Sequence, residues 1–404
     1  MLHTQRILQH GERVFHASAN EMQRRLGILR RVIFMAGVLM AEQGVQALLV
    51  IDGYWEGYSQ WLTGARAWRY LLVGQTGPFY AVQSEPDTWF APLPYVCPDG
   101  VSLRVEERLE ALPLRTLLSG SAPVLGFIHL EALTVELDAY LRSAVPGVQY
   151  LDITDALDPW KAEKSAEELR ILQNSVRLHE RAMAAVPALL RPGRTIAQVE
   201  RDMRWLCQSL GSGNAEHLSL ALGVRTANDA ALHLREDFVP WPDHRLEYGD
   251  LVSILLETNA DGGLFSALGR YFSLGPARET DLFYWDLACR VQDHAASQMK
   301  PGVNVREICD STTAFIRALG HDTIEKNYLH SLGYCLGEKP FLLDRTETIP
   351  LHADMVYIVH PYVKFPCTPS GVQYDAMCPV DTYRVTPNGG ERQNAYPREL
   401  FALL

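Results

Sequence analysis

The sequence predicts an α/β N-terminal domain over residues 1–158 and an α+β C-terminal domain over residues 159–404 with an internal pseudo-two-fold repeat. Short apolar runs closed by turn residues fill the first part. A capping box at Ser165 opens a long amphipathic helix, and one turn-plus-helix phrase occurs twice beyond it. With 404 residues, 47% of them hydrophobic and 21% charged, the chain is long enough to bury two cores.

Helical periodicity runs from Arg30 to Gly44, and the apolar run Ala47–Ile51 then ends at Asp52-Gly53, which reads as a strand entering a turn. Tyr70–Val73 and Phe79–Val82 flank Gly77-Pro78 and are expected to pair as a hairpin; Val124–His129 reads as another buried strand. The domain boundary is expected within Asp152–Pro159. In Ser165-Ala-Glu-Glu168 the Ser and the Glu are spaced so that each satisfies a backbone amide at the helix start. Leu169, Leu172, Val176, Met183 and Val186 fall on one face of that helix. The phrase Leu190-Arg-Pro-Gly-Arg-Thr-Ile-Ala-Gln-Val199 returns as Met299-Lys-Pro-Gly-Val-Asn-Val-Arg-Glu-Ile308. Each copy has a capping pattern (Thr195 with Gln198, Asn304 with Glu307) and a helix running to Gly211 or Gly320.

A net charge of −11 opposes a phosphate backbone, and no basic stripe interleaved with aromatics offsets it, so nucleic acid is not an expected partner. The seven cysteines are scattered and never form Cys-x-x-Cys, which fits a reducing cytoplasm better than a disulfide framework or a zinc knuckle. Charged residues near the N-terminus, and Glu42, Gln43 and Gly44 inside the apolar run Val32–Ile51, argue against a signal peptide and a membrane span.

Several words carry a family resemblance: Tyr58-Ser-Gln-Trp-Leu-Thr-Gly64, Lys161-Ala-Glu-Lys-Ser-Ala-Glu-Glu168, Gly249-Asp-Leu-Val252 and, most specific, His330-Ser-Leu-Gly-Tyr-Cys-Leu-Gly-Glu-Lys-Pro340. The last matches the pattern His-Gly-x-Gly, three residues, His-Glu-x-Pro. Together with the duplication, these words resemble the pita-bread family of creatinase, prolidase and aminopeptidase P over nearly the whole chain. The resemblance implies a homodimer, in which the first domain of one subunit helps cover its partner's pocket; Tyr54, Trp55, Tyr58 and Trp61 suggest an aromatic-lined loop in that domain, with an ordinary strand-end aromatic cluster as the competing reading.

Peptide hydrolysis in that family needs two adjacent metal ions, held by two Asp, one His and two Glu, to activate a bridging water. Carried over position by position, the resemblance puts these ligands on Leu255, Ala267, His330, His360 and Val380. Leu, Ala and Val have no lone pairs, so no metal and no other cofactor is expected. A different alignment would supply Asp375, and with His330 and His360 a single two-His-one-carboxylate site; a turn residue is the competing reading of Asp375.

His233, in Asn228-Asp-Ala-Ala-Leu-His233, and His330 are the expected acid–base pair, because imidazole passes protons near neutral pH without a metal. Creatinase hydrolyses a C–N bond in this way, and His233 resembles its active histidine. Gly269, however, replaces the acidic residue that creatinase carries before the strand arginine, which speaks against creatine itself. Arg270, His360, Glu257 and Glu338 are candidate substrate-binding residues. For Arg270 and Glu338 a structural ion pair is the competing reading, for Glu257 a solvated strand end. Three functions follow: a metal-independent hydrolase acting on a C–N bond of a small, polar, amino-acid-like metabolite; a lyase, isomerase or decarboxylase using the same pocket; and a binding protein without catalysis.

Overall fold

A computed structural model describes residues 36–51, 57–63, 68–75, 79–83, 103–106, 108–212, 219–226, 243–260, 262–323, 328–338, 350–364 and 376–403. Contacts divide the chain into Met1–Lys161 and Ala162–Leu404.

In the first unit, β1 (Ala47–Ile51), β2 (Trp68–Gly74), β3 (Phe79–Gln83), β4 (Leu103–Glu106), β5 (Val124–Ile128) and β6 (Gln149–Asp152) form one sheet in the order β4-β3-β2-β1-β5-β6. β2 and β3 pair antiparallel as the hairpin pattern predicts, while β1, β5 and β6 are parallel. The Gly77-Pro78 turn between β2 and β3 lies outside the described residues. A core of Leu49, Leu72, Leu125, Phe127, Leu137 and Leu141 fills one side.

The second unit is the repeat. Its first half contains the helices Ala166–Leu189 and Ile196–Ser209, then β7 (Ser219–Arg225), β8 (Leu251–Asn259) and β9 (Phe265–Leu274). The second half contains the helices Glu279–Ser297 and Val305–Ala318, then β10 (Leu329–Ser331), β11 (Val356–Val359), β12 (Val363–Lys364), β13 (Ala376–Met377), β14 (Val380–Thr386) and β15 (Gly389–Arg392); β16 (Phe401–Leu403) follows. An eight-stranded sheet runs β10-β11-β14-β9-β8-β7, with β15 on β14 and β16 on β9.

The duplication is visible atom by atom. Gly193, at φ 85°, donates to Leu246 O at 2.7 Å, and Gly302, at φ 88°, donates to Leu351 O at 2.8 Å. Thr195 bridges Arg245 as Asn304 bridges Pro350. Both turns need a left-handed residue there, which glycine adopts without Cβ strain. The capping boxes at Ser165/Glu168 and Thr195/Gln198 form; Asn304 instead occupies its N-cap without a side-chain bond to the backbone, and its amide turns to Glu307 at 3.4 Å.

The two halves meet at β9–β14, where register pairs Val380 with Gly269 and Asp381 with Leu268. Ser266, Leu268 and Arg270 point to the helix-covered side of β9. There Leu178, Ala182, Met183 and Val186 pack with Val252, Ile254 and Leu256 of β8 and with Leu268 and Phe272. His179 is buried on that side with Nδ1 2.6 Å from Ser266 Oγ, and burial pushes its pKa down to about 3.

Two outcomes are expected. Thr195→Ala removes one cap and lowers stability by ~1 kcal/mol in urea unfolding. His179 is neutral in the fold, whereas the unfolded chain takes up the proton near pH 6.5. Stability is therefore intact above pH 6.5 and falls as the pH drops towards 3, by up to ~1.4 kcal/mol per pH unit from this residue. His179→Met flattens that acid limb when unfolding is followed between pH 7 and 4.5.

Candidate functional site

Strand alternation and register place the site on the sheet face opposite the helices. Leu255 pairs with Gly269, and Glu257 with Ala267, on β8 and β9. Gly269 pairs with Val380 on β14; Ile358 of β11 pairs with Thr382 and with His330 of β10. Because residues two apart share a face, Leu255, Glu257, Ala267, Gly269, Val380, Thr382, Ile358, His330 and His360 all share it. The five positions assigned by resemblance to a metal pair are thus brought together.

Their chemistry does not suit two metal ions. A Cβ added at Gly269 would lie 2.7 Å from Val380 Cγ2 and 3.5 Å from Leu255 Cδ1, so these side chains close over the glycine. Aliphatic carbon fills the middle of the face, where hard oxygen donors would be needed. Only two imidazoles remain, and among the described residues no three His, Cys, Asp or Glu side chains cluster as a metal site. Asp375 lies outside the described residues.

His330 and His360 stand edge to face with ring centres 5.1 Å apart, and Tyr362 meets His360 in the same way at 5.5 Å. His360 N donates to Tyr328 O at 2.8 Å, which fixes the strand end that carries the ring. His330, His360, Tyr362 and Leu255 are each partly exposed, whereas Ala267, Val380 and Ile358 are buried. Burial drives the His330 pKa down to about 4, against a smaller upward pull from the Ser331 carbonyl. His330 is therefore a neutral imidazole at physiological pH, and burial makes its protonated form costly. Glu257 is buried beside Ala267 on this face, not a solvated strand end, and its charge helps push the Cys378 thiol upward, after burial.

The structure corrects two expectations. Arg270 points to the helix-covered side and is fully buried. Its Nε donates to Pro397 O at 2.7 Å, Nη1 to Gly269 O at 2.6 Å and Val380 O at 3.0 Å, and Nη2 to Asp381 Oδ1 at 2.7 Å and Tyr396 O at 3.2 Å. All five N–H groups are used, so none remains for a substrate carboxylate. Glu338 is likewise buried, in an ion pair with Lys164, and serves the turn that follows β10; Lys339 lies outside the described residues. His233 lies outside the described residues. Sequence reading missed Tyr362, whose only signal is its place two residues beyond His360, and it missed the fit of Val380 over Gly269.

A profile of metallopeptidase family M24 matches residues 170–382. An Xaa-Pro dipeptidase from Pyrococcus furiosus is 25% identical over 262 residues, covering 63% of this chain and 69% of the relative. A creatinase from a Bacillus species is 22% identical over 240 residues, covering 58% of this chain and 56% of the relative. Among solved structures, a dipeptidase PepE from Mycobacterium ulcerans superimposes with a TM-score of 0.70 at 22% identity, covering 94% of this chain and 98% of that one. This likeness establishes the pita-bread fold, with an α/β first domain.

Removing the Arg270 guanidinium strands a buried carboxylate. Arg270→Met is expected to cost about 3–5 kcal/mol in denaturant unfolding, with a smaller loss in Arg270→Met/Asp381→Leu, which leaves only the partly exposed Arg392 without its Asp381 contact.

Proposed function

This chain belongs to metallopeptidase family M24 and is a hydrolase-type enzyme, and we propose that it works without the family's two metal ions. The observation that carries this reading is the packing of Leu255 and Val380 over Gly269 at the centre of the site face. A dinuclear peptidase draws its nucleophile and its carbonyl activation from metals. With aliphatic side chains at three of five ligand positions, both tasks fall to proton transfer by side chains.

In this reading His330, neutral and partly exposed, accepts a proton from the attacking water, and His233 is its partner as proton donor. His360 and Tyr362 form the wall against which the substrate lies, and Glu257 holds a cationic or donor group of the substrate. General acid–base catalysis alone contributes roughly 10²–10⁴-fold, which suits a polarised C–N bond better than an unactivated peptide. The substrate class is a small, polar, amino-acid-like metabolite. The protein works as a cytoplasmic homodimer, a state that light scattering of the purified chain reads directly.

The test is a hydrolysis panel of Xaa-Pro dipeptides, creatine and other small C–N compounds, each with and without EDTA. Turnover is expected only among the non-peptide compounds, unchanged by EDTA and reduced at least ~100-fold in His330→Asn and in His233→Asn. Xaa-Pro cleavage lost on chelation would overturn the metal-free reading; full activity in both histidine variants would overturn the acid–base assignment.

A further inference from the structure

The segment that carries His330 into the site is held by a polar chain outside it. After β10 the backbone turns at Gly333, whose carbonyl accepts from Phe265 N at the start of β9 (2.7 Å), and Leu332 N donates to Val356 O at 2.8 Å. Beneath this turn the Glu338 carboxylate pairs with the Lys164 ammonium, both side chains 1% exposed, and accepts from Tyr334 N at 3.3 Å. A Cβ at residue 333 would lie 2.0 Å from Glu338 Oε2, so only glycine leaves room for that carboxylate. Tyr334 OH donates to Glu168 Oε1 at 2.9 Å, while Glu168 Oε2 accepts from Ser165 N and Oγ, each at 2.7 Å. The Lys164 ammonium also lies 6.0 Å from the centre of the Tyr334 ring.

We propose that Lys164, Glu338, Tyr334 and Glu168 form a positioning network that locks the 331–338 turn onto the start of the helix Ala166–Leu189 and so fixes His330 against His360. The physical case is that, among the described residues, β10 has three residues and pairs with one neighbour, β11. So short an edge strand does not hold a ring orientation by its own ladder. The anchors beyond it supply that constraint. Glu338 acts through others: its charge balances Lys164, its oxygen holds Tyr334 N, and Tyr334 carries the constraint to the helix cap. A buried ammonium left without its carboxylate draws water into the turn. The catalytic consequence rests on the acid–base reading of His330; the placement does not.

The test labels histidine at ring carbon Cε1 in the full chain and assigns His330 and His360 by their Asn variants. In Glu338→Gln both resonances are expected to shift or broaden, while those of His179 and His294 stay in place. Lys164→Met/Glu338→Gln, which removes the stranded charge and keeps an acceptor for Tyr334 N, is expected to restore them. Unmoved His330 and His360 signals in folded Glu338→Gln, or no recovery in the double variant, would overturn the proposal. Should Glu338→Gln not fold, Tyr334→Phe removes a single hydroxyl and is expected to give a smaller shift of the same two signals; no shift there overturns the proposal equally. Activity loss in His330→Asn separates the acid–base reading from placement, because the Glu338 and Tyr334 variants are scored on ring signals alone.

Discussion

The site depends on the seam between β9 and β14, where the two halves of the repeat are joined. The ladder there is short, Val380 with Gly269 and Asp381 with Leu268, and side chains extend it on both faces. On the helix side Arg270 clamps Asp381 and four carbonyls; on the site side Thr382 Oγ1 accepts from Ala267 N at 2.8 Å and donates to Ala267 O at 3.1 Å. Gln292 adds a third fastening by donating to Val359 O, Pro379 O and Asp381 Oδ2. A buried ion pair is a poor source of net stability, but a guanidinium with every N–H bonded permits only one alignment of the strands. That alignment brings Leu255, Gly269 and Val380 into one row.

The row sets the character of the site face. The packing of Val380 over Gly269 requires a residue without a Cβ, so the two positions depend on each other. There carbon packs against carbon, Val380 Cγ2 and Leu255 Cδ1 both facing the glycine. The histidines stand at the end of the row, on β10 and just beyond β11, partly buried. The face therefore has an apolar middle and an imidazole edge.

Much of this was legible in the sequence, because it is local. The turn phrase around Pro192-Gly193 and Pro301-Gly302, the Ser165 and Thr195 caps, and strand alternation around Leu255 and Glu257 are patterns of a few residues, and the fold expresses them. Asn304 is the exception: it keeps the position and not the bond, since its side chain prefers Glu307 to the backbone. Long-range pairing was not legible. Lys164 and Glu338 are 174 residues apart, and Arg270 finds its partners at 380, 381, 396 and 397; charge in a sequence does not reveal whether a side chain faces a pocket or a core. In the sequence Arg270 and Glu338 therefore read equally as substrate groups or as structural ion-pair partners, and burial with close hydrogen bonding decides for the second.

The most direct measurement is a titration of the purified chain with cobalt(II), followed by visible absorption and calorimetry. Cobalt reports its own ligands through its d–d bands, and a pair held by carboxylates and imidazole would saturate at two ions per chain. The aliphatic row predicts no stoichiometric uptake and a flat visible spectrum. Tight saturable binding of two ions, with bands abolished in His330→Asn, would contradict it.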